Sequence, residues 1–230
     1  MSKKDKVSKT EILAGHTEGF LRTHSRLFAI IAAVVIVAVV AIGIIYFASS
    51  NSTEEKYETL YTLESEYNSL LLIDETTDEY SSAVSALKSS LDSFISDNKI
   101  TSYEGAKANM ILADILFLEE NWEEAYAIYL AVAEANEDNY LGQLNYMNAA
   151  AAVENAGDTD EALRLYNLVF DTYGINAPMA PKALFNQARI EESQGNLDLA
   201  TTIYNQLIDQ YQSSYYSALA ESKLLVLSAN

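Results

Sequence analysis

Carboxylates are the commonest chemically active side chains in this sequence, and they come without the partners that most catalytic sites need. The chain has 33 Asp and Glu residues against 14 Lys and Arg, with two histidines and no cysteine. Both histidines, His16 and His24, precede residue 27, so the rest of the chain offers neither a catalytic triad nor a thiolate or imidazole metal site. Acids scattered over helical surfaces form close pairs by chance, so a glycosidase-like pair is only a minor alternative.

Sequence motifs for cofactors are missing as well. No glycine-rich phosphate-binding loop occurs in the sequence. The acidic cluster of Asp74, Glu75, Asp78 and Glu79 lacks the glycine and the ligand spacing of a helix-loop-helix calcium site. We therefore expect no catalytic residue, no cofactor and no metal, and a binding function. The alternative is an enzyme or a metal-dependent sensor, which requires a cleft with a shifted carboxylate pair.

The elements that would position any site begin with an uncharged segment, Leu27 to Ala48, which predicts a transmembrane helix. A helix of this length measures about 33 Å, enough to cross a hydrocarbon layer of ~30 Å. It contains no ionisable residue, so we expect it to tether the protein rather than to conduct ions. A cleaved secretory signal is the alternative, although its apolar part is usually shorter. A bacterial lipid anchor needs a cysteine, which the chain lacks.

The charges on either side of this segment predict its orientation. Residues 1–26 carry six basic and three acidic residues, whereas residues 49–230 carry eight basic and thirty acidic ones. Basic flanks stay on the cytoplasmic side, so we expect a cytoplasmic tail at 1–26, a single pass through the inner membrane at 27–48, and an extracytoplasmic or periplasmic domain beyond. An acidic domain also argues against binding nucleic acid or lying flat on anionic lipid.

Three segments of the acidic part align with one another, starting at Asn109, Tyr146 and Leu184. Each predicts a helix, a tight polar turn and a second helix. Small residues in two columns let antiparallel helices approach closely, and a tyrosine one turn later fills the space beside them. The aligned columns are Ala113, Ala150 and Ala188; Ala125, Ala162 and Ala200; and Tyr129, Tyr166 and Tyr204.

The turn between the two helices of each copy has its own pattern. Gly157 and Gly195 predict a left-handed residue there, and Glu120 takes that position in the first copy. Glu124 and Glu161 add a capping-box pattern in two copies. The predicted N-caps of the second helices are Asn121, Asp158 and Asn196.

These columns resemble the motif of the tetratricopeptide repeat family. The family's tryptophan is absent, and the repeat is longer than usual, which implies long loops such as the one from Tyr173 to Pro181. The resemblance implies an all-α, right-handed solenoid of about three to four helical hairpins. The implied division is a stalk with a degenerate first repeat at 49–102, three repeats at 103–212 and a capping helix at 213–230.

The resemblance also implies a concave groove that is lined by the first helix of each repeat and binds extended or helical peptides. Met110, Met147 and Phe185 are equally consistent with a core. Lys182 and Arg189 would either hold one peptide carboxylate or pair with local acids such as Glu191 and Glu192, and we favour the local pairing. The groove positions carried over are Met110, Asp114, Phe117, Met147, Ala151, Glu154, Lys182, Phe185, Asn186 and Arg189.

The expected function is a membrane-anchored extracytoplasmic scaffold for protein–protein interaction. Its architecture is similar to that of the ancillary subunit of the bacterial protein translocon, which implies peptide segments, chaperones or membrane-complex subunits as partners. The alternative is a structural component of an envelope machine, such as outer-membrane assembly, cell division or a flagellar motor. A homo-oligomer that forms through the tyrosine-rich face or the membrane helix is a further hypothesis.

Overall fold

The computed structural model describes residues 53–229 together with Val39, and from residue 53 onward its regular elements are all α-helices. They pack into one compact unit that begins at Tyr57. The all-α repeat solenoid is therefore confirmed for this part of the chain. The nine helices are α1 (53–70), α2 (Asp78–Asp97), α3 (Tyr103–Leu118), α4 (Trp122–Ala135), α5 (Tyr140–Asn155), α6 (Thr159–Tyr173), α7 (Ala180–Ser193), α8 (Leu197–Gln210) and α9 (Tyr215–Ser228).

The predicted membrane helix lies outside the described residues, apart from Val39, and so does the tail that precedes it. Among the residues that are described, no helix combines the length and the apolar character needed to cross a bilayer.

Helices that follow each other in the chain pack side by side, and the first helix of one hairpin also meets the first helix of the next. Thus α3 contacts α4 and α5, and α7 contacts α8 and α9. One apolar cluster joins α1 and α2 to α3, a second runs from α3 to α7, and a third joins α7 and α8 to α9. Because each cluster shares a helix with its neighbour, the core continues along the row of hairpins.

The aligned columns form the centre of this core. All six column alanines have 0% of their surface exposed, and the three column tyrosines are at most 3% exposed. A methyl group at both alanine positions leaves room for the backbones of two crossing helices to approach. The period of the sequence thus corresponds to one buried helix crossing per repeat.

The turns have the backbone that the sequence predicts. The φ angles are +61° at Glu120, +96° at Gly157 and +84° at Gly195, all in the left-handed region. In each turn two hydrogen bonds close the preceding helix in a Schellman motif, for example from the amides of Glu120 and Asn121 to the carbonyls of Phe117 and Leu116.

The predicted side-chain caps are correct at one turn and wrong at two. Asp158 accepts a hydrogen bond of 3.0 Å from the amide of Glu161. Asn121 and Asn196 occupy N-cap positions but make no capping hydrogen bond. Instead, the Asn196 side-chain NH2 group donates to Glu191 Oε2 at 2.7 Å, a charge-assisted hydrogen bond to the end of the preceding helix.

Candidate functional site

The predicted groove residues divide into a buried and a half-buried set. Met110 is 7% exposed and Met147 is 1% exposed, so both belong to the core and leave almost no surface for a partner. Phe117 packs at the edge of the same core. The remaining groove residues are half-buried, and with the neighbouring charged residues they form what we call the A-helix surface. Its members are Lys107 and Asp114 on α3, Ala151 and Glu154 on α5, Lys182, Phe185, Asn186, Arg189 and Glu192 on α7, and Lys223 on α9.

A hydrogen bond between a tyrosine and a carboxylate joins the two helices of every repeat. The column tyrosine of the second helix donates its hydroxyl proton to an acid on the first helix. The oxygen–oxygen distances in the second and third repeats are 3.4 and 2.8 Å. The pairs are Tyr129 with Asp114, Tyr166 with Glu154 and Tyr204 with Glu192.

Ion pairs then connect these acids to the next first helix. Arg189 Nη2 on α7 lies 2.6 Å from Glu154 Oε2 on α5, and Lys223 Nζ on α9 lies 3.0 Å from Glu192 Oε1 on α7. Lys107 on α3 lies 3.3 Å from Glu64 on α1. The A-helix surface is therefore cross-linked both within and between repeats.

The expectation that Arg189 pairs with a local acid is wrong. Its partner is Glu154, which lies 35 residues earlier in the chain. Glu191 instead accepts a hydrogen bond from Asn196, and Glu192 binds Lys223. The local acids Glu191 and Glu192 follow Arg189 by two and three residues on the same helix, whereas Glu154 lies on α5, with its Oε2 2.6 Å from Arg189 Nη2.

Burial and charge set the protonation of these groups. Burial, and then the adjacent carboxylate, raises the pKa of Tyr129, Tyr166 and Tyr204, so their hydroxyls remain proton donors. Burial also raises the pKa of Asp114, although the bond from Tyr129 and the charge of Lys107 oppose that shift. The Asp114 carboxyl, whose pKa is raised, thus faces the phenol of Tyr129. In a glycosidase pair such a group faces a second carboxylate instead.

Glu192 shows the opposite balance. Burial acts to raise the pKa of this carboxyl, but hydrogen bonds from Tyr204 and Lys223 outweigh it and hold the pKa below its ordinary value. Glu154 likewise anchors Arg189, and that hydrogen bond raises the pKa of the guanidinium. Both carboxylates are therefore held by fixed donors.

An aromatic cluster closes the α9 end of the A-helix surface. The Phe185 ring centroid lies 5.9 Å from that of Tyr204 and 5.8 Å from that of Tyr216, and Tyr215 follows at 5.6 Å from Tyr216. Tyr215 is 72% exposed, so the cluster leads from the core to the solvent. Lys182, one turn before Phe185, has no ion pair with any described carboxylate.

Net charge differs between the two sets of helices. The second helices, α2, α4, α6 and α8, carry twelve acidic and two basic residues. The helices α3, α5, α7 and α9 carry six acidic and four basic ones. Most of the acidity that the sequence shows therefore lies away from the A-helix surface, and within residues 53–229 no group of three metal-ligand side chains occurs.

Sequence reasoning missed the acids that receive the tyrosine hydroxyls. A signal for two of them was present, since Glu154 and Glu192 each precede a column tyrosine by twelve residues. It also missed the bond from Tyr126 on α4 to Glu161 on α6, where Arg164 binds the same carboxylate. No local pattern predicts that contact, because it joins second helices of different repeats.

The comparisons with known proteins agree with this geometry. The tetratricopeptide repeat family model matches residues 76–140 and 138–215, more than half of the chain. A TPR repeat-containing protein of Treponema pallidum (strain Nichols) is 32% identical over 143 residues, which is 62% of this chain and 59% of that protein. The chain thus spans less than two thirds of the length of this curated relative. Helical hairpins that recur after 37 and 38 residues, the alanine and tyrosine columns and the family match together show that this chain belongs to the tetratricopeptide repeat family.

Proposed function

We propose that this protein is a membrane-anchored scaffold whose A-helix surface binds segments of other proteins outside the cytoplasm. Tetratricopeptide repeat domains generally mediate protein–protein interaction. The observation that supports this role here is the cross-linked A-helix surface. Apart from Lys182, its cations are held by carboxylates, and its acids Asp114, Glu154 and Glu192 accept from tyrosine hydroxyls, so a partner meets polar groups in fixed positions. Fixed side chains lose little entropy on binding, which favours recognition of a specific segment.

The half-buried residues Lys182, Phe185 and Asn186 are the proposed contact points. Lys182 supplies a cation without a described ion-pair partner, and Phe185 supplies an apolar ring beside Tyr216. Asn186 has its amide nitrogen available, because its oxygen is the atom that accepts from Arg189 at 3.5 Å. Together they suit an extended or helical segment that offers polar and apolar groups in turn.

The proposed anchor is the uncharged segment Leu27 to Ala48, with residues 1–26 in the cytoplasm. The absence of cysteine from the sequence makes this arrangement easy to test. We expect a cysteine that replaces Asp209 to react with a membrane-impermeant maleimide in cells whose inner membrane is intact. A cysteine that replaces Ser2 should react only after lysis, and equal labelling of both would contradict the orientation.

The proposed location is beside a protein-export channel, where the surface would meet emerging chains and periplasmic chaperones. A photo-crosslinking residue at Lys182 tests this in living cells, and one at the exposed Asp209 on α8 is the matched control. We expect adducts with channel subunits, chaperones or exported chains at Lys182 and not at Asp209. If Lys182 yields adducts only with an outer-membrane assembly, cell-division or motor component, the export role is wrong and the envelope-machine alternative holds.

A further inference from the structure

The loop between α4 and α5 borders an open cavity that contains no residue of the A-helix surface. The cavity has a volume of about 450 Å³, and Glu137, Asp138 and Tyr140 line it together with Tyr173 at the end of α6. Tyr140 is 48% exposed, and both acids are exposed as well. No salt bridge joins either acid to a described cation. We call this opening, with its two carboxylates and its exposed ring, the loop cavity.

The fold does not require acids in this loop, because the loops before the other first helices do without them. The two residues directly before the N-cap are Ile100 and Thr101 for α3, Ala177 and Pro178 for α7, and Gln212 and Ser213 for α9. Every one of these residues is uncharged, whereas the corresponding pair before α5 is Glu137 and Asp138. The two acids are therefore a property of this loop and not of the repeat.

The backbone of this loop is held in place. The Asn136 side-chain NH2 group donates at 3.0 Å to the carbonyl of Ile100 in the preceding loop. The Asn139 side-chain oxygen accepts from the Leu141 amide at 2.8 Å and caps α5. A Cβ on Gly142 would lie 2.6 Å from the Asn136 carbonyl oxygen, so the start of α5 packs closely against the loop. The acids thus belong to a fixed loop, which reduces the entropy lost on binding.

Tyr173, on the other side of the loop cavity, has a hydroxyl group without a partner. Its equivalent one repeat later, Tyr211, donates to the Ile175 carbonyl at 2.7 Å. The Tyr173 hydroxyl is buried and makes no hydrogen bond with any described residue. Burial, followed by neighbouring tyrosine and carboxylate groups, raises the pKa of Tyr173 to about 12, so the hydroxyl keeps its proton. A peptide offers carbonyl oxygens that accept such a proton, whereas a metal ion or a polyamine offers none.

Charge indicates a basic occupant. No basic residue lines the loop cavity, and none lies in the last turn of α4 or of α6, the two helices that end beside it. Those last turns instead carry the exposed acids Glu134 and Asp171. A lysine or arginine side chain pairs with carboxylates and is also attracted to the face of an aromatic ring, so it matches both the acids and Tyr140.

We infer that the loop cavity binds a lysine or arginine side chain from an extended basic segment of another protein. The cation lies over the ring of Tyr140 and beside the carboxylates of Glu137 and Asp138. The segment is extended, since the carbonyls of a helix are already hydrogen-bonded and cannot serve Tyr173. One such opening is far smaller than a standard interface of about 800 Å² per partner, so the complex is weak and reversible. This inference does not depend on the role proposed for the A-helix surface.

Two synthetic peptides test the inference. In one fluorescein-labelled peptide lysine alternates with serine, and in the other norleucine replaces every lysine. Binding to the full-length chain in a nonionic detergent is measured by fluorescence anisotropy at physiological ionic strength, with detergent alone as the reference. We expect the lysine peptide to bind at least about tenfold more tightly than the norleucine peptide.

Substitutions on the protein then locate the contact. The double variant Glu137→Gln, Asp138→Asn should weaken binding of the lysine peptide about fivefold, because it removes both carboxylates. The matched control is Asp92→Asn, Glu221→Gln, which changes the net charge equally at exposed acids of α2 and α9 and should have less than about a twofold effect. Tyr140→Leu should weaken binding about threefold, whereas Tyr140→Phe keeps the ring and should bind as the native protein does. Circular dichroism should show unchanged melting for both double variants, as these side chains are exposed.

Four results would overturn the inference. Equal binding of the lysine and norleucine peptides would show that the occupant is apolar. Equal weakening by the two double variants would show general attraction to an acidic domain. Displacement of the lysine peptide by millimolar calcium chloride, but not by sodium chloride of equal ionic strength, would assign the carboxylates to a metal ion. A full-length chain that sediments as a dimer and becomes a monomer in Glu137→Gln, Asp138→Asn would assign the loop cavity to a second copy.

Discussion

At the scale of single residues, the tyrosines of one column donate hydrogen bonds to acids at different positions. In the first repeat Tyr129 meets Asp114, which lies fifteen residues earlier, whereas the later tyrosines meet glutamates twelve residues earlier. The shorter aspartate sits deeper between the helices, close enough to Tyr67 on α1 that its charge adds to the burial that raises the pKa of Tyr67 to about 12. Unlike Glu154 and Glu192, it has no cation in salt-bridge contact among the described residues.

Asp114 therefore costs stability when it is charged. The pKa of Asp114 is higher in the folded protein than in the unfolded chain. Its contribution to the free energy of unfolding is therefore most favourable below the unfolded pKa of about 3.9, and it is lost as pH rises through the folded pKa. We expect Asp114→Asn to be at least as stable as the native protein at pH 7 in urea unfolding, because an amide oxygen still accepts from Tyr129. This advantage should vanish as the pH approaches 3.9.

The control is Asp114→Ala, which leaves the Tyr129 hydroxyl without its acceptor and should cost about 1–3 kcal/mol. If Asp114→Asn lost as much as Asp114→Ala, the charge itself would be stabilising and the proposed balance would be wrong.

At the scale of elements, the helices end where their turn residues require it. Three Schellman turns with one left-handed residue each reverse the chain between the paired helices. Two have glycine at the left-handed position, and the first has glutamate, for which that backbone is strained. The element boundaries are thus set locally, and the strained backbone at Glu120 slightly lowers the stability of the first repeat.

Replacing Glu120 by glycine should relieve that strain. A left-handed backbone costs an L-residue about 1–2 kcal/mol, while glycine loses about 0.5–1 kcal/mol more in backbone entropy on folding. We therefore expect Glu120→Gly to raise the free energy of unfolding by about 0.5 kcal/mol in urea titrations. The reciprocal control, Gly157→Glu, should lower it, and a Cβ there meets no atom within 4 Å, so the effect is one of backbone alone. A loss of stability in Glu120→Gly would refute the explanation.

The alanine columns make a second prediction at this scale. Ala188→Leu forces a larger side chain into the crossing of α7 and α8 and should cost about 1–3 kcal/mol in the free energy of unfolding. Ala218→Leu on the exposed side of α9 should change it by less than about 0.5 kcal/mol. Equal effects would mean that the column does not set the helix spacing.

At the scale of the whole molecule, repulsion between acids competes with a small number of ion pairs. Five salt bridges join described residues, and their side chains remain 21–55% exposed. Partly exposed pairs of this kind contribute roughly 0–1 kcal/mol each. Thirty acidic residues against eight basic ones leave far more unpaired negative charge than these pairs neutralise.

Added salt should therefore stabilise the fold. Screening weakens the five ion pairs, but it weakens the mutual repulsion of the remaining acids more, since the screening length falls from about 30 Å at 0.01 M to about 10 Å at 0.1 M. We expect the urea midpoint of the full-length chain to rise between 10 mM and 500 mM sodium chloride. Potassium chloride should act alike, and a falling midpoint would show that the ion pairs dominate.

The sequence by itself determined the repeats, their turns and the close helix crossings at the alanine columns, because these features depend on neighbours within one or two helical turns. Gly157 and Gly195 had to lie in turns, and the alanines of each hairpin had to face each other. Only the tertiary structure decided that Arg189 meets Glu154, that Tyr126 meets Glu161, and that Met110 and Met147 are buried. Those outcomes depend on how one hairpin is offset against the next, a shift of a few ångströms that no local pattern specifies.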